Sequence, residues 1–231
     1  MSAARDAILQ AARQRLAPGQ TDAVRRAAVA ARLDAHAKGT IPARVAGGQP
    51  EHLALFRKML EGQSATVATV ADFPQIPAAL ADYLKAQNLP ARLRLGDDPA
   101  LAGLDWSTAP HLERRQGPAQ EADLVAVAVA HSGVAETGTL VFLSGPDNPT
   151  TSNFLPETHI AVIPASRLCG AYEDVWARLR EQFGPGVLPR TVNFISGPSR
   201  TGDIEQTILL GAHGPRHLHV LIVDDTGKAA P

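Results

Sequence analysis

Cysteine is nearly absent: the 231 residues contain one, Cys169. A lone thiol forms no internal disulfide, and it cannot hold an iron–sulfur cluster, which takes about four thiolates. It suits a reducing compartment. Aromatic residues are scarce too, at 4 %, while hydrophobic residues make up 45 %. The core is therefore expected to rest on many small contacts among Ala, Val and Leu. Charge of either sign is not in excess. Lys and Arg total 22, Asp and Glu 23, and the formal net charge is −1, which leaves no long-range field to gather nucleic acid or an acidic membrane surface. The longest apolar run, Leu124 to Ala130, is far shorter than the roughly 20 residues of a membrane span. The opening Met1-Ser2-Ala3-Ala4-Arg5-Asp6 carries charge where a signal peptide requires an apolar stretch. A cytoplasmic protein without a membrane span is expected. Also missing are a GxGxxG after a strand, a phosphate-binding P-loop and a GxSxG elbow, so those cofactor and hydrolase classes lose support.

What is present divides into an N-terminal helical extension (1–45), an α/β domain (46–225) and a loose tail (226–231). In the extension, Ser2 can cap a helix carrying Ile8, Leu9, Ala12 and Leu16, and Pro18-Gly19 can stop it. Thr21 and Asp22 can start a second, Ala-rich helix ending near Lys38-Gly39. This arm is too apolar for a disordered tail, and it can pack on its own domain or on a partner subunit. From residue 50 the pattern alternates. Leu53, Leu55, Phe56, Met59 and Leu60 suit a helix, Ala65–Val70 a strand, Pro77–Gln87 a helix and Ala91–Leu95 a strand. That order predicts a sheet covered by helices. Beyond Asp123 strands dominate: the Leu124–Val129 run reads as buried on both faces, and Thr139–Leu143, His159–Ile163, Thr191–Ile195 and His217–Val223 follow. Tyr172, Val175, Trp176, Leu179 and Phe183 recur at helical spacing between two of them.

Loops beyond strand ends are where an open α/β sheet usually places its chemistry. In His131–Thr139, Glu136 sits between two apolar strands, and a carboxylate there needs water, a partner or a substrate. Thr137, Gly138 and Thr139 add hydroxyls and close backbone approach, making them ligand-binding candidates beside Glu136 as a candidate catalytic group. The alternative is a tight connection with Glu136 facing solvent. In Ser196–Glu205, the residues Gly197, Ser199, Arg200, Thr201, Asp203 and Glu205 gather hydroxyls, a guanidinium and free amides ahead of an expected helical turn. Such a set suits a carboxylate or phosphate, or else Asp203 and Glu205 brace Arg200 in a capped turn. In Gly211–His219, His213 lies between glycines on an expected exposed loop, can titrate near neutrality and is the second catalytic candidate, with Gly211 and Gly214 beside it. His217 and His219 share one face of a strand, but the spacing fits no zinc pattern, and no metal is expected. The three polar loops are expected to converge on one cleft.

Taken in order, GVAETGTLVFLSGP, LPETHIAVIP and ISGPSRTGDIEQTILLGAHGPRHLHV resemble the C-terminal signature of the LUD-domain, or lactate-utilisation, family, and most of all its small cluster-free type. The resemblance covers roughly 120–223 and, in outline, the first half. It implies a three-layer α/β fold similar to the ribose-phosphate isomerase, glucosamine-phosphate deaminase and CoA-transferase superfamily. It also implies a part in oxidising L-lactate to pyruvate, with no cofactor in this chain and iron–sulfur clusters in partner subunits. In that superfamily a loop glutamate acts as base or nucleophile near a bound anion, and Glu136 is the matching position. A free-standing enzyme acting on a phosphorylated or CoA-linked substrate, and a non-catalytic scaffold subunit, stay open as alternatives.

Overall fold

The computed structural model describes residues 3–16, 22–204 and 207–226, without the side chains of 203–204 and 207–208. By its contacts the chain forms two compact units, Met1–Thr40 and Ile41–Pro231. The first contains helices α1 (Ala3–Leu16) and α2 (Asp22–Ala35), neither with a buried residue. Arg25 Nη2 donates to Leu16 O at 3.2 Å, fastening the second helix to the last turn of the first. The expected caps and stop at Ser2, Pro18, Gly19 and Thr21 lie outside the described residues, as does all of the expected tail except Thr226.

The second unit contains helices α3 (Gln49–Gly62), α4 (Ile76–Ala86), α5 (Pro99–Ala102) and α6 (Tyr172–Phe183). Its strands are β1 (Thr66–Val70), β2 (Arg92–Leu95), β3 (Glu113–Gln116), β4 (Val125–Val129), β5 (Ser132–Val134), β6 (Thr139–Leu143), β7 (Thr158–Pro164), β8 (Leu168–Cys169), β9 (Val192–Ile195), β10 (Arg200–Ile204), β11 (Thr207–Leu210) and β12 (His217–Val223). Six of them form a parallel sheet in the order β1-β12-β7-β4-β2-β3. The central strands are largely apolar runs of Val, Ile, Leu and Ala buried on both faces, as a covered parallel sheet demands. Alternate residues part to the two sides. Val127, Ile160 and Leu221 pack with Ile76, Leu80 and Leu84 of α4. Ala128, Ala161 and Val220 pack with Phe56 and Leu60 of α3 and with Leu140 and Phe142 of β6. Each such large side chain, fully buried, contributes about 1.5–3 kcal/mol.

The strands expected at Thr139–Leu143 and Thr191–Ile195 form, but not in the central sheet. They belong to a second, four-stranded sheet, β8-β5-β6-β9. Its outer face meets α6 through Val141, Val175 and Leu179. The layers are therefore helices, a parallel sheet, α3 beside a small second sheet, and α6 outside that. Glu51 accepts a hydrogen bond from Gly48 N at 3.0 Å and so closes the first turn of α3. Among the described residues no helix is long and apolar enough to cross a membrane.

Candidate functional site

The Arg200 segment is anchored on the end of α3. At Gly197 φ is +124°, and an added Cβ would lie 2.9 Å from Gln63 Cβ and 3.1 Å from Gln63 O, so only glycine allows this approach. Arg200 Nη2 donates to Gln63 O and, at 2.6 Å, to Ser64 Oγ. A guanidinium beside the last carbonyls of a helix is electrostatically favoured. The helical turn expected after Arg200 is not formed. Instead β10 and β11 pair as an antiparallel hairpin with an irregular register, because the β-branched and apolar run Thr207–Leu210 supplies a partner strand. Ser199 joins this hairpin to the His213 loop: its amide donates to Pro215 O at 2.8 Å, its carbonyl accepts from Gly211 N at 2.9 Å, and its hydroxyl accepts from His213 N at 3.4 Å.

The two joined segments wall a cleft of about 290 Å³ at the amino ends of β7 and β12, lined by Asn153, His159, Ser196, Ser199, Arg200 and His213, among others. Gly197 and Gly214 also border it. Two members are almost completely buried: Asn153 and His159 are each 1 % exposed. Both ring nitrogens of His159, and both Nδ2 and Oδ1 of Asn153, find no hydrogen-bond partner among the described residues. Each such orphan costs about 1–3 kcal/mol. Burial pulls the His159 imidazole down to about pKa 4. The ring is therefore neutral near pH 7, one nitrogen a donor and the other an acceptor. Neither residue was singled out from the sequence. The available signal was a histidine at a core-facing position, two and four residues before Ala161 and Ile163 of the same buried face.

The Glu136 segment is the hairpin between β5 and β6 in the second sheet. Its backbone is held by Glu136 N donating to Gly170 O at 3.0 Å. The carboxylate is mostly covered and lies 3.8 Å from Arg44 Nη2. It is not among the residues lining the Arg200 cleft. Thr137 and Thr139, offered by the sequence to a ligand, bond one another at 2.6 Å, and each bonds Tyr172 Oη at 2.8 Å. Thr139 also meets Ser196 Oγ at 2.5 Å. That hydroxyl chain connects the hairpin to the rim of the cleft. Of the other expected site residues, Thr201 is half-buried in β10, and Gly211 borders a neighbouring hollow with Glu157 and Arg216. The side chain of Asp203, and Glu205 altogether, lie outside the described residues. His217 is exposed and His219 is buried against Tyr83. Among the described residues no three His, Cys, Asp or Glu gather as metal ligands. Cys169 is buried, with its thiol pushed up to about pKa 11 by that burial.

A mostly parallel sheet covered by helices, with a polar cleft at the strand ends, defines a mixed α/β architecture. The chain belongs to the LUD domain family, whose sequence model matches residues 53–223. It is 36 % identical over 121 residues to lactate utilization protein C of Geobacillus thermodenitrificans, a match covering 52 % of this chain and 50 % of that one. It is 38 % identical over 114 residues to the protein of the same name from Halalkalibacterium halodurans, covering 49 % of each. The match thus spans about half the length of these relatives. A crystal structure of a DUF162 family protein from Deinococcus radiodurans superimposes with a TM-score of 0.54 at 21 % identity, covering 77 % of this chain and 99 % of that one, a likeness of fold.

Proposed function

We propose that the chain works in lactate utilisation, as the cluster-free component of a system that oxidises L-lactate to pyruvate, and that it binds a small carboxylate or phosphate in the Arg200–His213 cleft. The names of the relatives support the pathway. The anion reading rests on one observation: four buried polar atoms of Asn153 and His159 have no partner among the described residues and stand against a cleft that also holds Arg200. Buried polar groups are rarely left unsatisfied in a native fold, and a bound anion would supply partners to these four. In this reading a neutral His159 donates one N–H to the anion, Asn153 adds its amide, and the guanidinium supplies the charge. Iron–sulfur chemistry belongs to partner subunits.

Thermal unfolding with L-lactate, pyruvate and phosphate tests the anion reading. At least one of them should raise Tm of the wild type. Arg200→Lys and His159→Gln should each weaken that ligand about ten-fold or more, since a charge-assisted hydrogen bond is worth about 1.5–3 kcal/mol. If none of the three protects the wild type, the scaffold alternative is preferred. Its support is the helical unit, where Ile8, Leu16 and Leu33 are each about two-thirds exposed or more. Retention of cysteine-rich oxidoreductase subunits on the tagged full chain would then depend on α1 and α2.

A further inference from the structure

A second cleft lies at the opposite ends of the same strands. Asp98 follows β2, His131 follows β4 and Arg167 follows β7, three neighbours in the parallel sheet. The loop after β6 brings Asp147 and Asn148 against them, held by Asp97 N donating to Pro146 O at 3.0 Å. Together with Gln182 these residues line about 540 Å³. Crevices at the carboxyl ends of parallel strands are the usual ligand positions in open α/β sheets.

The side chains around this cleft are divided by chemistry. Arg167 uses Nη1 on Ala130 O at 3.0 Å, and the rest of its guanidinium makes no hydrogen bond among the described residues. It forms no ion pair with either carboxylate there. The other wall is made of acceptors. Asp98 Oδ1 accepts from Ala100 N at 2.8 Å, at the start of α5. Burial raises the Asp98 pKa, the Ala100 amide and the Arg167 charge oppose that in part, and nearby Asp147 adds to the rise. Asn148 is 5 % exposed. Its Nδ2 donates to Leu143 O at 3.1 Å, which fixes the amide so that Oδ1 is the acceptor, and Oδ1 has no partner among the described residues. His131 bridges Ser132 Oγ and Gln182 Oε1, each at 2.9 Å. Burial lowers its pKa, the Gln182 bond opposes that in part, and Arg167 and Arg178 lower it further.

We propose that this cleft binds a small zwitterion of the amino-acid type, its carboxylate on Arg167 and its ammonium among Asp98, Asp147 and Asn148 Oδ1. Three acceptors match the three N–H donors of an ammonium, and a planar guanidinium matches a carboxylate through two parallel bonds. A dianionic phosphate would face two carboxylates across the cleft, and a simple hydroxy acid would take up the Arg167 charge while bringing no cation to Asp98 and Asp147. The proposal is independent of the anion reading of the Arg200 cleft.

The test is ligand-observed NMR on the full chain with the common L-amino acids. L-lactate and n-propylamine serve as partners carrying one charge each, and lactate differs from alanine only in replacing the ammonium with a hydroxyl. At least one amino acid should bind saturably. Its affinity should drop about ten-fold or more in Asp147→Asn and in Arg167→Gln, and stay unchanged in Arg200→Lys. Asp147 and Arg167 are both exposed, so both variants are expected to fold, which circular dichroism checks. The proposal is overturned if no amino acid binds, if binding survives both substitutions, or if lactate or propylamine competes for this cleft as strongly as the amino acid.

Discussion

Gly138 carries two constraints in one residue. Its φ is +66°, and an added Cβ would stand 2.7 Å from Leu60 N and 2.9 Å from Met59 C, backbone atoms that cannot turn away. Gly138→Ala therefore combines a left-handed strain of about 1–3 kcal/mol with overpacking of similar size. A loss of roughly 2–5 kcal/mol in urea unfolding is expected, and a change below the lower bound would mean that α3 and the hairpin separate easily. The buried histidines set a pH dependence. His159 and His219 are both held down to about pKa 4 by burial, whereas in the unfolded chain they protonate near 6.5. Stability is therefore complete above about pH 6.5 and falls as pH drops toward 4, by about 3 kcal/mol for each ring at most. His159→Phe, beside Phe142 at a 5.1 Å ring distance, should remove its share of that fall. Equal acid sensitivity in variant and wild type would contradict a neutral, buried His159.

Among the elements, β2 is tied by an ion pair to the segment that leads into β4. Arg94 Nε and Nη2 grip the Asp123 carboxylate at 2.7 and 3.2 Å, and Nη1 donates to Gln116 O at 2.9 Å. Burial by itself would push the Asp123 carboxyl up, but Arg94 and the Gln120 amide hold it below the usual carboxylate range. Its stabilisation is thus present above about pH 4 and is lost as pH falls through the lowered pKa. Arg94→Met leaves that carboxylate buried and unpaired, and about 3–5 kcal/mol should disappear from urea unfolding at pH 7. An unchanged midpoint would mean that water already reaches the pair. The strands themselves were easy to read, because β4, β7 and β12 are largely apolar, Val- and Ile-rich runs of the kind a doubly covered sheet buries. Their division into two sheets was not legible. Alternation tells which face of Val141 or Phe142 is apolar, not which neighbour it meets. The β10–β11 hairpin was hidden for a related reason: Ser199, Thr201 and Asp203 suit a cap or a turn, and pairing with Thr207–Leu210 overrode that local preference. Arg200 and His213 were legible as a polar loop pair. The buried partners Asn153 and His159 were not, since they come from a segment that reads as an ordinary strand and its approach.

In the molecule as a whole, one parallel sheet carries polar clefts at both ends of its strands. The amino ends of β7 and β12 hold Asn153, His159, Arg200 and His213, and the carboxyl ends of β2, β4 and β7 hold Asp98, His131 and Arg167. The first is lined by residues from the LPETHIAVIP and ISGPSR segments that carry the family signature, and its buried polar atoms, without partners among the described residues, make it the stronger candidate for the proposed anion site. Nitrogen NMR of the His159 imidazole tests this most directly. In the free protein the ring should give the two separated signals of a neutral imidazole at pH 7. Adding L-lactate, pyruvate or phosphate should shift those signals saturably, and Arg200→Lys should weaken the titration about ten-fold. Signals that stay fixed with all three anions would contradict a ligand site at His159.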